Sequence, residues 1–453
     1  MAADSPLFDP LFRGTPAADT FSDVARLEGM LEFEAALARA AAKVGQIPQH
    51  AAPVIAECCR AQLFDLRQLG SATAAAGNPA IPLVAALTQL VAQKDKASAG
   101  YVHWGATSQD VMDTGLVLQL RRGLDRFLPE ARKLGDALAM LAKTHAATPM
   151  VGRTWLQHAV PVTFGLKAAG WCAAVDRARS RVKQAGDRAC VLQFGGAAGS
   201  LASVGDAGPA MSAALAADLR LREPELSWHA HRDRFVDLAA ALALVAGVLG
   251  KIARDISLLA QTEVGEVSEP AGQGRGGSST MPHKRNPVAC AVMLSTAARV
   301  PHLLASLLAA MPQEQERGLG GWHAEWETLP EIFSLTWGSL NRALETIGGL
   351  DVFVERMRRN IDLTRGLVSA EAVMMALAPR LGRDVAHEIV EEASRTAARD
   401  AIHLRDVLLG MPSVAAHISR ADIDKLFDYG LQVSHSKQMV ERMLASRQLQ
   451  GAS

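Results

Sequence analysis

Aromatic residues are scarce in this chain: they make up 5% of its 453 residues, and only two are tyrosines. β-Sandwiches draw on β-branched and aromatic side chains, so this scarcity argues against one. Neither sign of charge is in excess. Lys+Arg and Asp+Glu both count 47, for a formal net charge of zero. No basic surplus points to nucleic acid and no charge run points to an interaction tail, although a local cationic site for a small anion stays open. Cysteine is sparse and unpatterned. The five (Cys58, Cys59, Cys172, Cys190, Cys290) are an odd number without metal-ligand spacing. That suits free thiols in a reducing cytoplasm rather than a disulfide framework. Long hydrophobic runs are missing. The most apolar, Leu238–Gly250, holds 13 residues between Asp237 and Lys251, which is too short to span a bilayer and suits a buried helix. The N-terminal MAADSPLFDPLFRGTPAADTFSD is acidic and proline-broken, unlike a signal peptide. These absences lead us to expect a cytoplasmic chain with neither a nucleic-acid nor a membrane partner.

What the chain does contain is alanine and leucine, within a hydrophobic share of 49%. Both are strong helix formers, and the expected class is all-α. The length allows two or three domains with a large core. Apolar spacing predicts helices over 20–45 (capped by Thr20 or Ser22), 110–146 (interrupted at Pro129), 158–190 (broken near Pro161), 233–263, 288–310 and 326–348. The 233–263 segment lacks proline and would span about 46 Å at about 1.5 Å per residue. It is apolar nearly all round, so most of its sides should be buried. After Gly348-Gly349 the helices shorten and charged runs appear. We expect an N-terminal helical domain (1–109), a central long-helix bundle and oligomer core (110–350), and a small C-terminal helical domain (351–453). More apolar helix surface than one chain needs suggests burial against further copies.

Residues 271–287, AGQGRGGSSTMPHKRNP, carry the densest chemistry. Gly272, Gly274, Gly276 and Gly277 allow close backbone approach to a ligand. Ser278 and Ser279 can exchange a proton, and His283, Lys284, Arg285 and Asn286 suit a carboxylate. Asn286-Pro287 reads as an N-cap with proline at the first helical position, and a helix N-terminus favours anions. The plain alternative is a glycine-rich loop that starts a helix. Upstream, Tyr101–Asp110 contains Gly105 at a turn and Thr107 and Ser108 as hydroxyl donors before a helix. That is either a carboxylate seat or a helix cap. Gly152–Gly165 groups Arg153, Thr154, Gln157 and His158 in a loop before a helix. Glu316–Trp326 offers Trp322, His323, Glu325 and Trp326 to a pocket or an interface. His229-Ala-His231 with Asp233 looks superficially metal-like but lacks a third ligand at convincing spacing. Asp233 as a helix cap, with Arg232 or Arg234 near a pocket, is the simpler reading, and we expect no metal.

The string GSSTMPHKRNP resembles the signature of the fumarase/aspartase superfamily, with WGATSQD and GRTWLQHAVPVTFG resembling its two earlier regions in order. The resemblance implies a three-domain all-α fold and a homotetramer whose active sites are shared between subunits. It implies a C–N or C–O bond broken or made β to a carboxylate, with no cofactor. By resemblance, Ser278 is the proton-exchanging residue. Lys284 and Asn286 bind substrate carboxylate, and Lys284 is counted with Ser278 as catalytic. Thr107 and Ser108 supply anion-binding hydroxyls, Gln157 a contacting amide, and His103 a histidine found in many adenylosuccinate lyases. Arg153, Trp155, Met281, Trp322 and His323 complete the expected substrate contacts. Many family members have a histidine where this chain has Trp155, and it acts there as an acid or base. An indole does neither at neutral pH. An amine leaves badly unless protonated, whereas a carboxylate leaves as a stable anion, with a conjugate acid of pKa about 4. Trp155 therefore fits a reaction in which the group added or expelled is a carboxylate. GRTWLQHA and the Trp-His-x-Glu-Trp patch resemble the family's lactonising, cycloisomerase branch, whose substrate is a small tricarboxylate. The alternatives are an adenylosuccinate-lyase-like enzyme releasing fumarate and a non-catalytic oligomeric relative.

Overall fold

Ser22 caps the first long helix: its hydroxyl accepts from the Ala25 amide at 3.1 Å. In this computed structural model, which describes residues 6–272, 276–277, 281 and 284–451, helix α1 follows over Asp23–Lys43. It stops where the Gln46 amide bonds to Ala41 O and the Gly45 amide to Ala42 O, a closing pair that satisfies the last carbonyls. Helix α2 spans Ser108–Thr144. The interruption expected at Pro129 does not end it. Proline in a helix interior costs about 3 kcal/mol, and the flanking turns bury Leu124, Phe127, Ala131 and Leu134, which offsets that cost.

The helix expected over 158–190 starts late. Residues Pro149–Thr154 (β1) and Gln157–Thr163 (β2) form an antiparallel hairpin instead. Pro161 and the β-branched Val151, Val160, Val162 and Thr163 favour extended chain. Helix α3 begins only at Phe164 and runs to Ala189. The remaining long helices are α4 (Asp233–Leu259), α5 (Val288–Ala310) and α6 (Gly321–Gly348). The start of α5 matches expectation, while α6 begins five residues before the expected 326. A second small sheet pairs Val267–Ser268 (β3) with Asp351–Val352 (β4). About 70% of the chain is helical, as the all-α expectation requires.

The chain divides into two compact units: Met1–Ala131, Arg177–Leu249 and Val292–Asn341 in the first, Arg132–Asp176, Gly250–Ala291 and Arg342–Ser453 in the second. In the first unit, α1 and α2 touch through backbone. A Cβ on Gly29 would lie 2.6 Å from Gly115 O, so only glycine allows this approach. The few aromatic residues are concentrated here. Phe333 packs against Phe21 (ring centroids 5.1 Å apart) and Phe127 (5.6 Å). In the second unit Trp171 donates to Asp255 at 2.8 Å and meets Phe164 edge-on. The C-terminal helices α7 (Ala370–Leu381) and α8 (Arg383–Asp400) bury Val373, Leu377, Ala386, Val390 and Ala393.

The apolar run Leu238–Gly250 belongs to the longer α4. By length and composition α4 could cross a membrane, but 61% of its most apolar stretch is buried inside the fold. The corresponding figure for α5 is 28%, so much of its apolar surface is left uncovered by its own chain. All five cysteines are free. Burial pushes the Cys190 thiol up to about 11 and Cys172 up to about 12, so neither is a reactive thiolate at neutral pH.

Candidate active site

In the first unit the candidates sit on the turn that leads into α2. Gly105 has φ +76, and a Cβ there would lie 2.4 Å from Val204 Cγ1. No other residue fits this turn. Asp110 anchors the segment. Fully buried, its carboxylate accepts from the Gly195 and Gly196 amides at 2.9 Å each, from His229 Nε2 at 2.7 Å and from the Thr107 amide at 3.0 Å. Ser108 opens the helix. The Thr107 hydroxyl accepts from Arg317 Nη2 at 3.0 Å, and the same nitrogen donates to Ala197 O. His103 has φ 59, and its Nδ1 lies 2.6 Å from Glu34 Oε1.

Trp322 and His323 open α6. Trp322 is buried and donates from Nε1 to Asp113 Oδ1 at 3.0 Å. His323 is exposed and lies against Trp326 with centroids 4.4 Å apart. Behind them Arg232, 1% exposed, bridges two buried acids. Its Nη1 and Nη2 donate to Asp113 at 2.7 and 3.0 Å, and its Nε and Nη2 to Glu325 at 3.0 and 2.6 Å. Burial lowers the Arg232 pKa, but the two carboxylates outweigh it and leave it raised. Burial raises Glu325 above the usual carboxylate range, and Arg232 pulls it only part of the way back. His229 bonds to Asp110 and Ser227 while His231 is exposed, so the two histidines do not face a common point.

In the second unit Trp155 and Leu156 form the two-residue tip of the β1–β2 hairpin, with φ 51 and 64. Two positive φ values in a row match the primed hairpin turns, which normally take Asn-Gly. Trp155 is 98% exposed and Leu156 73%. Gln157 is exposed beside them. Arg153 is engaged within the fold, its guanidinium bidentate to buried Glu266 at 3.0 and 2.7 Å. Asn360 adds a 2.7 Å bond to the same carboxylate. His158 is lowered by burial, with Arg153 adding to the effect, and so is neutral at pH 7.

Of the glycine-rich signature, Ser278 and His283 lie outside the described residues. Gly276 accepts from the Asn286 amide at 2.9 Å, and the Lys284 amide donates to Met281 O. Lys284 is exposed. Arg285 donates to Asp351 at 2.9 Å and to Glu269 O at 2.6 Å. The N-terminus of α5, expected to seat a ligand anion, already holds one. The Glu269 carboxylate accepts from the Ala289 and Cys290 amides at 3.1 and 2.8 Å. Any substrate carboxylate near the signature must find other donors.

Sequence reasoning missed Glu34, Glu266, Glu269 and Arg317. Only Glu34 left a signal: it falls on the helical face of Leu27, Met30 and Leu31, where an acid is out of place. The others pair with residues distant in sequence.

An all-α fold with these three patches in this order defines a class, and the comparisons agree. The chain belongs to the lyase family of the fumarase/aspartase superfamily. The family model described as "Lyase" matches residues 15–301, and "Adenylosuccinate lyase C-terminus" matches 366–443. A 3-carboxy-cis,cis-muconate cycloisomerase of Pseudomonas aeruginosa is 53% identical over 445 residues, covering 98% of this chain and 97% of that one. The crystal structure of 3-carboxy-cis,cis-muconate lactonizing enzyme from Pseudomonas putida superposes with a TM-score of 0.93 at 51% identity, covering 98% and 99%. A nitrosuccinate lyase of Streptomyces davaonensis is 42% identical, covering 97% and 94%.

Proposed function

We propose that this chain is a 3-carboxy-cis,cis-muconate cycloisomerase, forming 4-carboxymuconolactone in protocatechuate catabolism without a cofactor. The observation that carries the reading is Trp155. It stands at a strained, exposed hairpin tip, at the position where many relatives have an acid–base histidine, in a chain about half identical to cycloisomerases over nearly its whole length.

The chemistry needs no leaving-group acid. One terminal carboxylate oxygen adds to the carbon that bears the third carboxylate. That carbon is β to the other terminal carboxylate, so negative charge develops there as an aci-carboxylate. Lys284 and Asn286, with Thr107 or Ser108, stabilise that charge. Ser278 delivers one proton to the α-carbon, and the trianion becomes a lactone dicarboxylate. This reverses the serine's role in the lyases, as microscopic reversibility allows. A hydroxyl is a poor acid in water, so the site has to be closed and electropositive. Met281, Gln157 and His323 line the substrate, while Trp322, buried and bonded to Asp113, packs against His323 and steadies it. Arg153 acts from behind, holding the hairpin through Glu266.

The working form is a homotetramer with sites shared between subunits. This is supported by the uncovered apolar surface of α5 and by the fully exposed Trp155. Five free thiols support a cytoplasmic setting.

The test is to mix purified protein with 3-carboxy-cis,cis-muconate, follow loss of conjugated-diene absorbance and identify the lactone by NMR. Ser278→Ala should lower turnover by at least about a hundredfold. Intact turnover in a folded variant removes Ser278 from the mechanism. No lactone from the parent chain, with fumarate released from substituted succinates instead, moves it to the lyases.

A further inference from the structure

A substrate with three carboxylates needs several positive centres, and most arginines of the sequence patches are already committed. Arg153 is bidentate to Glu266, Arg232 bridges Asp113 and Glu325, and Arg285 holds Asp351. His103 differs from these. Its side chain is 18% exposed, and only Nδ1 is engaged, by the fully buried Glu34 of α1. Its Nε2 has no hydrogen bond to a described residue. Its backbone sits at φ 59, a left-handed conformation that costs a non-glycine residue about 1–2 kcal/mol and is characteristic of functional positions.

Glu34 is costly as well. Its second oxygen is buried without a hydrogen-bond partner among the described residues. A carboxylate kept only for stability would have both oxygens satisfied, or be replaced by an apolar side chain. Resting on the cycloisomerase reading, we propose that Glu34 is a positioning residue. It fixes the His103 ring and keeps it an imidazolium, so that Nε2–H is a cationic donor for one substrate carboxylate.

The surroundings agree. Burial lowers the His103 pKa, but the Glu34 charge and hydrogen bond, with Asp110 of α2 adding to them, more than reverse this and leave it raised. Cys59 also feels the Glu34 charge; burial pushes its thiol up and keeps it uncharged, with Cys58 and Arg39 acting on it as well. Arg317 reaches the same turn at Thr107. The arrangement also accounts for a buried acid on an otherwise apolar helix face.

The test compares the parent chain, Glu34→Gln, Glu34→Asp, His103→Gln and the Glu34→Gln/His103→Gln pair in steady-state lactonisation from pH 5.5 to 8.5. Glu34→Gln should raise KM about tenfold at pH 7.5, the worth of one charge-assisted hydrogen bond, and change kcat less. The gap to the parent should close towards pH 5.5, where the ring is protonated with or without Glu34. Glu34→Asp should recover part of the loss, and the double variant should be no worse than His103→Gln. A KM–pH profile parallel to the parent's, or additive losses in the double variant, overturns the proposal. A second readout is independent of activity and of Glu34 variant folding. In protein carrying 13C-labelled histidine, the His103 signal (identified by its loss in His103→Gln) should titrate above about 6.5, the ordinary histidine value. Titration at or below that value overturns the proposal even if lactonisation is robust. Absence of lactonisation with a raised His103 titration instead overturns the cycloisomerase reading and leaves the Glu34–His103 pair standing.

Discussion

Replacing Arg232 with methionine should be among the most damaging single changes available in the first unit. The guanidinium is 1% exposed and makes five hydrogen bonds of 2.6–3.0 Å to Asp113 and Glu325. It also stacks over Trp228 and Phe235 at about 5 Å. Arg232→Met keeps much of that packing but leaves two buried acids without their cation. Breaking a buried pair from one side costs about 3–5 kcal/mol. The lower part of that range applies, because Trp322 and Gln109 still donate to Asp113 and Gln313 to Glu325. A loss of about 3–4 kcal/mol, if it falls wholly on the unfolding step, speeds unfolding by two to three orders of magnitude. The assay is the unfolding rate in guanidinium chloride by tryptophan fluorescence, which does not require reversible folding. The companion variant is Arg232→Met/Asp113→Leu/Glu325→Met. Removing all three charges leaves no buried charge unpaired, only the Trp322, Gln109 and Gln313 N–H groups without these acceptors, and it should unfold at least about tenfold more slowly than the single variant. Unfolding of Arg232→Met within about fivefold of the parent, or a triple variant no better than the single, would refute the claim that uncompensated buried charge sets the cost.

Glu325→Gln tests the same cluster by pH. A carboxyl raised on folding contributes stability that is fully present below its ordinary pKa of about 4.3 and is lost as pH rises through the folded value. The parent's advantage over Glu325→Gln should therefore be greatest below that value and shrink as pH rises, as read by unfolding rates at several pH values. Gly29→Ala places a methyl 2.6 Å from Gly115 O and should destabilise by about 1–3 kcal/mol; a neutral result means α1 and α2 can separate freely. Trp155→Asn/Leu156→Gly supplies the residues this turn prefers and should relieve about 1–2 kcal/mol of backbone strain per residue. Its lactonisation should fall by at least about tenfold, so a variant that is both more stable and fully active would show that the tip does not serve catalysis. Trp155→His should give no gain in lactonisation, and a clear increase contradicts the argument that the reaction needs no leaving-group acid.

The sequence by itself determined the helical class, the starts of α1 and α5 and the three chemical patches. These are local matters: Ser22 caps within its own turn, proline at 287 precedes Val288, and apolar spacing repeats with the helix. The hairpin at 149–163 escapes the local pattern because Pro161 and its β-branched neighbours run directly into the helix-compatible stretch that begins at Phe164, and pairing to residues on the other strand decides the outcome. Pro129 was overrated as a breaker, because the burial that holds α2 together around it comes from other elements. Only tertiary structure decided where the charges go. Arg153, Arg232 and Arg285 look alike in sequence as carboxylate binders, yet each is taken by an internal acid: Glu266, the Asp113–Glu325 pair and Asp351. Glu269 fills the α5 N-terminus that the local pattern offered to a ligand, and Glu34 holds His103 across 69 positions. A charge's role depends on which opposite charge reaches it through space, and chain order carries no record of that distance.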